Sequence, residues 1–145
     1  MHRDFVEFVE RLTKNKVDFM IIGGMALAFY GFPRYTGDLD LWIIPTLENA
    51  KKVFKTIEEF FETSLSADPE DFIKGKNMIT LGEEPVQIQI HTFLDGVTEE
   101  EIWNTKKKST FGSIDVFYIG KDTFIKNKKA VGRDQDLVDI KKIQE

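Results

Sequence analysis

Residues 38–44, DLDLWII, constrain this chain more than any other stretch, because two like charges alternate with leucines inside an otherwise apolar strand pattern. Side chains along a strand point to opposite faces in turn. Asp38 and Asp40 therefore share one face, and Leu39, Leu41 and Ile43 share the other. The rise per residue sets the two aspartate Cα atoms roughly 6.5–7 Å apart. Carboxylates held that close repel one another unless a cation sits between them. A divalent ion does this readily, since Mg²⁺ takes carboxylate oxygens and brings a substrate's phosphates with it. The alternative is a pair of acids at the solvated end of a strand, paired with Arg34 or a lysine.

A second feature lies upstream. Val17–Ile22 is a short apolar run ended by Gly23-Gly24, which reads as a strand entering a tight turn, and Met25–Tyr30 reads as one or two helical turns stopped by Gly31 and Pro33. Where a strand, a glycine pair and a helix follow one another, backbone N–H groups and the helix N-terminus can cradle an anion. Glycine serves where backbone must approach phosphate with no Cβ in the way. The plain alternative is a ligand-free β–α turn. Taken together, the cradle and the paired carboxylates describe a site for a nucleoside triphosphate (NTP) and its Mg²⁺.

The remaining elements set the fold class. Phe5, Phe8, Val9 and Leu12 recur at helical spacing, predicting an amphipathic helix over residues 2–14. Residues 46–62 put Leu47, Ala50, Val53, Phe54, Ile57, Phe60 and Phe61 on one stripe behind a Thr46 cap. Residues 68–75 form a short capped helix or turn. Residues 78–82 and 86–92 form neighbouring strands, and EEEIWNTKK reads as helical. Ser109–Ile119 holds one or two strands turning at Gly112-Ser113, and helices over 121–131 and 134–144 close the chain with Gly132 as a cap. This order predicts an α/β protein of the α+β type, a mixed sheet of four to six strands flanked by helices, with residues 1–145 as one domain.

Composition bounds the partners. A net charge of −5 argues against a nonspecific nucleic-acid binder, although Lys126, Lys128, Lys129 and Arg133 form a local basic cluster open to a phosphate-binding role. The absence of cysteine removes disulfides and thiolate chemistry. No apolar run reaches membrane-spanning length, and acids interrupt the start, MHRDFVEFVERL, so the expected location is cytoplasmic.

The stretch IIGGMALAFYGFPRYTGDLDLWI closely resembles the polymerase-beta-like nucleotidyltransferase superfamily, with its glycine pair opening a helix and Asp-x-Asp on the next strand. LDGVTEEEIW (94–103) and FIKNKKAVGRDQDLVDI (124–140) resemble segments of its minimal, abortive-infection toxin-type (AbiEii-like) branch. The resemblance implies a nucleotidyltransferase fold and metal-assisted transfer of a nucleoside monophosphate from NTP to a hydroxyl on RNA, protein or a small molecule. It implies that Gly23 and Gly24 contact phosphates beside Met25, that Asp38 and Asp40 hold Mg²⁺ or Mn²⁺, and that Lys128 and Arg133 serve the site. Periodicity independently sets Lys128 beside the apolar face of its helix, i+4 from Phe124. Asp136 and Asp139 also match the tail; Asp136 reads as a helix-start charge or a catalytic group. The toxin-type resemblance adds a tRNA or a partner protein as acceptor or partner.

The pattern breaks at one point. Counting back from Asp95-Gly96-Val97, the third carboxylate of active relatives falls on Gln89, which carries no charge and cannot act as a base. His91, on the same strand face, could replace it as base or metal ligand. Two expectations follow: an NTP- and metal-dependent nucleotidyltransferase, or a catalytically lapsed relative that acts as a binding or regulatory module.

Overall fold

The computed structural model describes residues 2–32 and 37–144. Pro33 and Arg34, invoked above as a helix stop and an ion-pair partner, lie outside the described residues. Helix α1 (Arg3–Lys14) starts where the His2 ring accepts a hydrogen bond from the Asp4 N–H, and it buries Phe5, Phe8, Val9 and Leu12. Strand β1 (Phe19–Ile22) runs directly into α2 (Gly23–Phe29), so the glycine pair forms the first turn of the helix and does not precede it. Strand β2 (Asp38–Ile43) is followed by α3 (Leu47–Phe61), capped by Thr46, and by α4 (Pro69–Ile73), capped by Asp68. The hairpin β3 (Met78–Glu83) and β4 (Val86–His91) leads to α5 (Glu99–Asn104), the hairpin β5 (Lys107–Phe111) and β6 (Ile114–Tyr118), then α6 (Lys121–Val131) and α7 (Asp134–Gln144).

One expected boundary needs correction. The helix read through EEEIWNTKK stops at Asn104, because Lys107 and Lys108 pair with Tyr118 and Phe117 in the β5–β6 ladder. Lys106, just before β5, sets its ammonium 4.2 Å from the Trp103 ring centre and 4.9 Å from that of Phe117.

The six strands form one mixed sheet in the order β3-β4-β2-β1-β6-β5. β2 pairs antiparallel with β1 and parallel with β4, and the parallel pair needs the long α3–α4 crossover between them. β1 pairs parallel with β6, and both hairpins are antiparallel. β2 is thus an interior strand. Leu39, Leu41, Ile88 and Ile90 on one face of the sheet are fully buried. Helix α1 packs on β4, β6 and α3, with Phe8 edge-on to Phe60 at 5.3 Å between ring centres. The aspartate face is left for the cleft. No helix among the described residues is long and apolar enough to cross a membrane.

Candidate functional site

Alternation on β2 sets Asp38 and Asp40 on one face, and the parallel register sets a carboxamide beside each: Gln87 beside Asp38 and Gln89 beside Asp40. His91 stands two residues beyond Gln89, and its Nε2 reaches back to 3.3 Å from Asp40 Oδ1. The position of the expected third carboxylate is therefore next to Asp40, and an imidazole contacts that aspartate. Burial first, then the charges of Asp40 and Glu84, push the Asp38 pKa above the usual aspartate value. A cation between the two carboxylates would reverse that preference.

Gly23 fits this strand sterically. Its φ is +66°, and a Cβ built there would lie 2.6 Å from Asp40 Oδ2, so any side chain would both strain the backbone and displace the carboxylate. The β1–β2 ladder makes the approach, since Ile22 pairs with Asp40. No side chain caps the start of α2, and Gly23 and Gly24, its first two residues, line the cleft.

The opposite wall comes from the end of the chain. Gly96, at φ +78°, has no Cβ to meet the Ala130 methyl, so the Asp95-Gly96 turn packs closely on α6, and Asn127 Nδ2 donates to the Asp95 carbonyl at 2.9 Å. That contact fixes α6 with Lys128 toward the cleft. Lys128 Nζ, with its side chain only 12% exposed, donates to Asp136 Oδ1 at 3.0 Å and lies 3.9 Å from Asp139 Oδ2. Arg133 donates to Asp136 from its backbone N–H at 3.1 Å, from Nε at 2.8 Å and from Nη2 at 3.3 Å. Asp136, fully buried on α7, is the shared counter-ion of both cations. Burial alone would raise its pKa, but the Arg133 and Lys128 hydrogen bonds and charges outweigh it and hold the group down at about 2. The Arg133 pKa is raised, first by the Asp136 hydrogen bond and also, more weakly, by Asp40.

These walls enclose a cleft of about 540 Å³, within the range of small-molecule sites. Gly23, Gly24, Asp38, Asp40, Gln89, His91, Lys128 and Arg133 all line it. Met25 does not; it packs against the hydrophobic core. Met78, Phe93 and Asn127 line the cleft and were not legible as site residues: Met78 and Phe93 are exposed side chains at a strand end and in a loop, and Asn127 is a polar residue buried in α6, none of which carries a periodic signal. Asn127 precedes Lys128 directly and was the one neighbour worth testing.

The donor set fits one divalent ion held by Asp38 and Asp40 with the remaining positions left to water and phosphate oxygens. Among the described residues, no group of three or more His, Cys, Asp or Glu side chains is arranged to hold a metal by itself. A complete two-metal carboxylate cage does not fit.

A family described as "Nucleotidyl transferase of unknown function (DUF2204)" matches residues 1–145. No curated protein matches the chain. Among solved structures, the lincosamide antibiotic adenylyltransferase LnuA with bound lincomycin superposes with a TM-score of 0.63 at 12% identity, over 100% of this chain and 97% of that one. A Thermotoga maritima protein named as a candidate nucleotidyltransferase superposes with a TM-score of 0.62 at 15% identity, over 97% of this chain and 89% of that one. At such identities the likeness is one of fold, and the mixed six-stranded sheet with flanking helices is that fold.

Proposed function

Because the chain belongs to this nucleotidyl transferase family, we propose that it binds an NTP with Mg²⁺ or Mn²⁺ in the cleft and transfers a nucleoside monophosphate to a hydroxyl acceptor. The observation that carries this reading is the opposition of two walls across one cleft: paired carboxylates on β2, and Lys128 and Arg133 on the far side. A triphosphate needs both. Asp38 and Asp40 hold the ion, which when bound neutralises charge on the phosphates. The first N–H groups of α2 at Gly23 and Gly24 meet phosphate oxygens, and Lys128 and Arg133 bind the rest of the chain of phosphates.

In the transfer itself, the acceptor oxygen bonds to the α-phosphorus and the bond to the bridging oxygen of the β-phosphate breaks, so pyrophosphate leaves. The hydroxyl proton goes to the His91 ring, which the 3.3 Å contact of Nε2 with Asp40 Oδ1 holds beside the carboxylate pair. His91 thus takes over the proton-accepting role that Gln89 cannot fill.

The tail segments 94–103 and 124–140 suggest tRNA or a partner protein as acceptor only through their toxin-type resemblance, whereas the lincosamide adenylyltransferase of the same fold is named for a small-molecule antibiotic. Residues 1–145 act as one domain, and a cytoplasmic location suits a protein that consumes nucleotide. The second reading, a lapsed binding or regulatory module, draws on Gln89 beside Asp40.

A thermal-shift titration with each of the four NTPs, in Mg²⁺ and in Mn²⁺, tests the binding half. At about 100 times its dissociation constant a ligand adds about 2.7 kcal/mol of stability. We expect a shift that needs metal and nucleotide together and vanishes in Asp40→Asn. No shift with any nucleotide overturns the proposal. A shift without pyrophosphate release in the presence of any acceptor selects the lapsed module.

A further inference from the structure

Resting on the transfer reading above, we propose that the acceptor is a hydroxylated small molecule without anionic groups, lying on an open strand platform made by Gln89, Thr80, Met78 and Phe93.

The sheet face that carries the aspartates does not end at β4. In the ladders Asp40 lies beside Gln89, Gln89 beside Thr80, and His91 beside Met78, so all five side chains belong to one face. β3 is the edge strand, and Thr80 is exposed on it. Met78 is 51% exposed, and Phe93, just beyond β4, is 37% exposed. Met78, Gln89, His91 and Phe93 line the same cleft as Asp38 and Asp40. Two large apolar side chains from separate segments thus stand open together at the mouth of a polar site. Isolated exposed apolar residues need no explanation, but a pair converging on a cleft beside neutral hydrogen-bonding groups is the composition of a ligand wall. Carboxamides and hydroxyls exchange hydrogen bonds with substrate hydroxyls, while thioether and phenyl surfaces take an apolar face.

Charge decides the class. With Asp38 and Asp40 given to the metal, the acids left near this platform are Asp95 in the cleft lining and Glu83 and Glu84 at the β3–β4 turn. Lys76 is the cation at this end among the described residues. It is engaged, 3.9 Å from Asp95 and 4.4 Å from the centre of the Phe93 ring. Phosphodiester chains are bound through rows of free lysine and arginine. Here Lys128 and Arg133 stand on the opposite wall, anchored by Asp136, where the triphosphate lies. The platform repels a polyanion and accepts an uncharged or cationic polyol.

The test incubates the whole protein with metal and NTP radiolabelled at the α-phosphate, and with one of three acceptor pools: a methanol extract of the source cells, total tRNA, or dialysed cell protein. Label is expected in a methanol-soluble product and in neither macromolecular pool. Thr80→Glu and Met78→Glu should each cut that labelling about tenfold or more, and Thr80→Glu, at an exposed position outside the cleft lining, should leave the NTP-dependent thermal shift unchanged. Label in tRNA or protein overturns the inference, as does small-molecule labelling indifferent to both variants. Loss of the thermal shift itself sinks the nucleotide reading. A shift with no label in any pool leaves nucleotide binding standing and overturns transfer and this acceptor together.

Discussion

The two walls of the cleft solve opposite electrostatic problems. On the α6–α7 wall Lys128 and Arg133 share one counter-ion: Asp136 is fully buried, takes hydrogen bonds from Lys128 and from Arg133 backbone and side chain, and keeps its pKa at about 2. On the β2 wall, two like charges share one strand face, and burial with the neighbouring Asp40 and Glu84 raises the Asp38 pKa. One wall carries a buried ion network of its own, and the other is the wall we propose for the metal ion. The difference teaches that a buried ion network can fix cationic side chains in place, while the adjacent carboxylates stay poised for a ligand.

The largest expected effect breaks the buried network. Asp136→Ala leaves the Lys128 ammonium, 12% exposed, without its counter-ion and should cost about 3–4 kcal/mol in urea unfolding. An unchanged midpoint would mean the network is decorative. Gly23→Ala comes next, from the joint of the two walls. A side chain at φ +66° that also meets Asp40 Oδ2 should cost about 2 kcal/mol and abolish the metal-dependent nucleotide shift.

Acid gives a third effect. Because the Asp136 pKa is depressed in the folded state, its contribution is complete above the ordinary aspartate value and is lost as pH falls toward about 2. The loss should amount to about 2 kcal/mol between roughly pH 4 and pH 2, read as a falling unfolding midpoint, and should be absent in Asp136→Asn. The smallest effect on stability is on the β2 wall. Asp38→Asn keeps the shape of the side chain and should leave the metal-free unfolding midpoint within about 0.5 kcal/mol while the nucleotide shift disappears. Destabilisation instead would show the β2 wall to be as structurally committed as its counterpart.

Much of this arrangement was legible in residue order. The strand alternation of DLDLWII, the glycine pair and the amphipathic stripes of residues 2–14 and 46–62 set element type and order to within a few residues. The shortfalls have local causes. Lys107 reads as a helical continuation, yet it and Lys108 pair with β6 in a ladder that no local propensity reveals. Met25 follows the glycines in sequence but turns to the core, because α2 begins at Gly23 and rotates that position away from the cleft. Asp136 is the helix-start acid that one local reading gave, in the first turn of α7, but its buried counter-ion role depends on Lys128 and Arg133 arriving from the preceding helix and turn.

The sequence by itself determined which faces the aspartates and leucines take, where the chain turns and which helices are amphipathic, since those follow from periods of 2 and 3.6 along one segment. Only the tertiary structure decided that Gln89 lies beside Asp40, that His91 reaches back to it, and that residues 128–136 close the cleft opposite β2. Strand order, register and helix docking join segments far apart in the chain. They are chosen by burial of the shared core, which no single stretch of residues encodes.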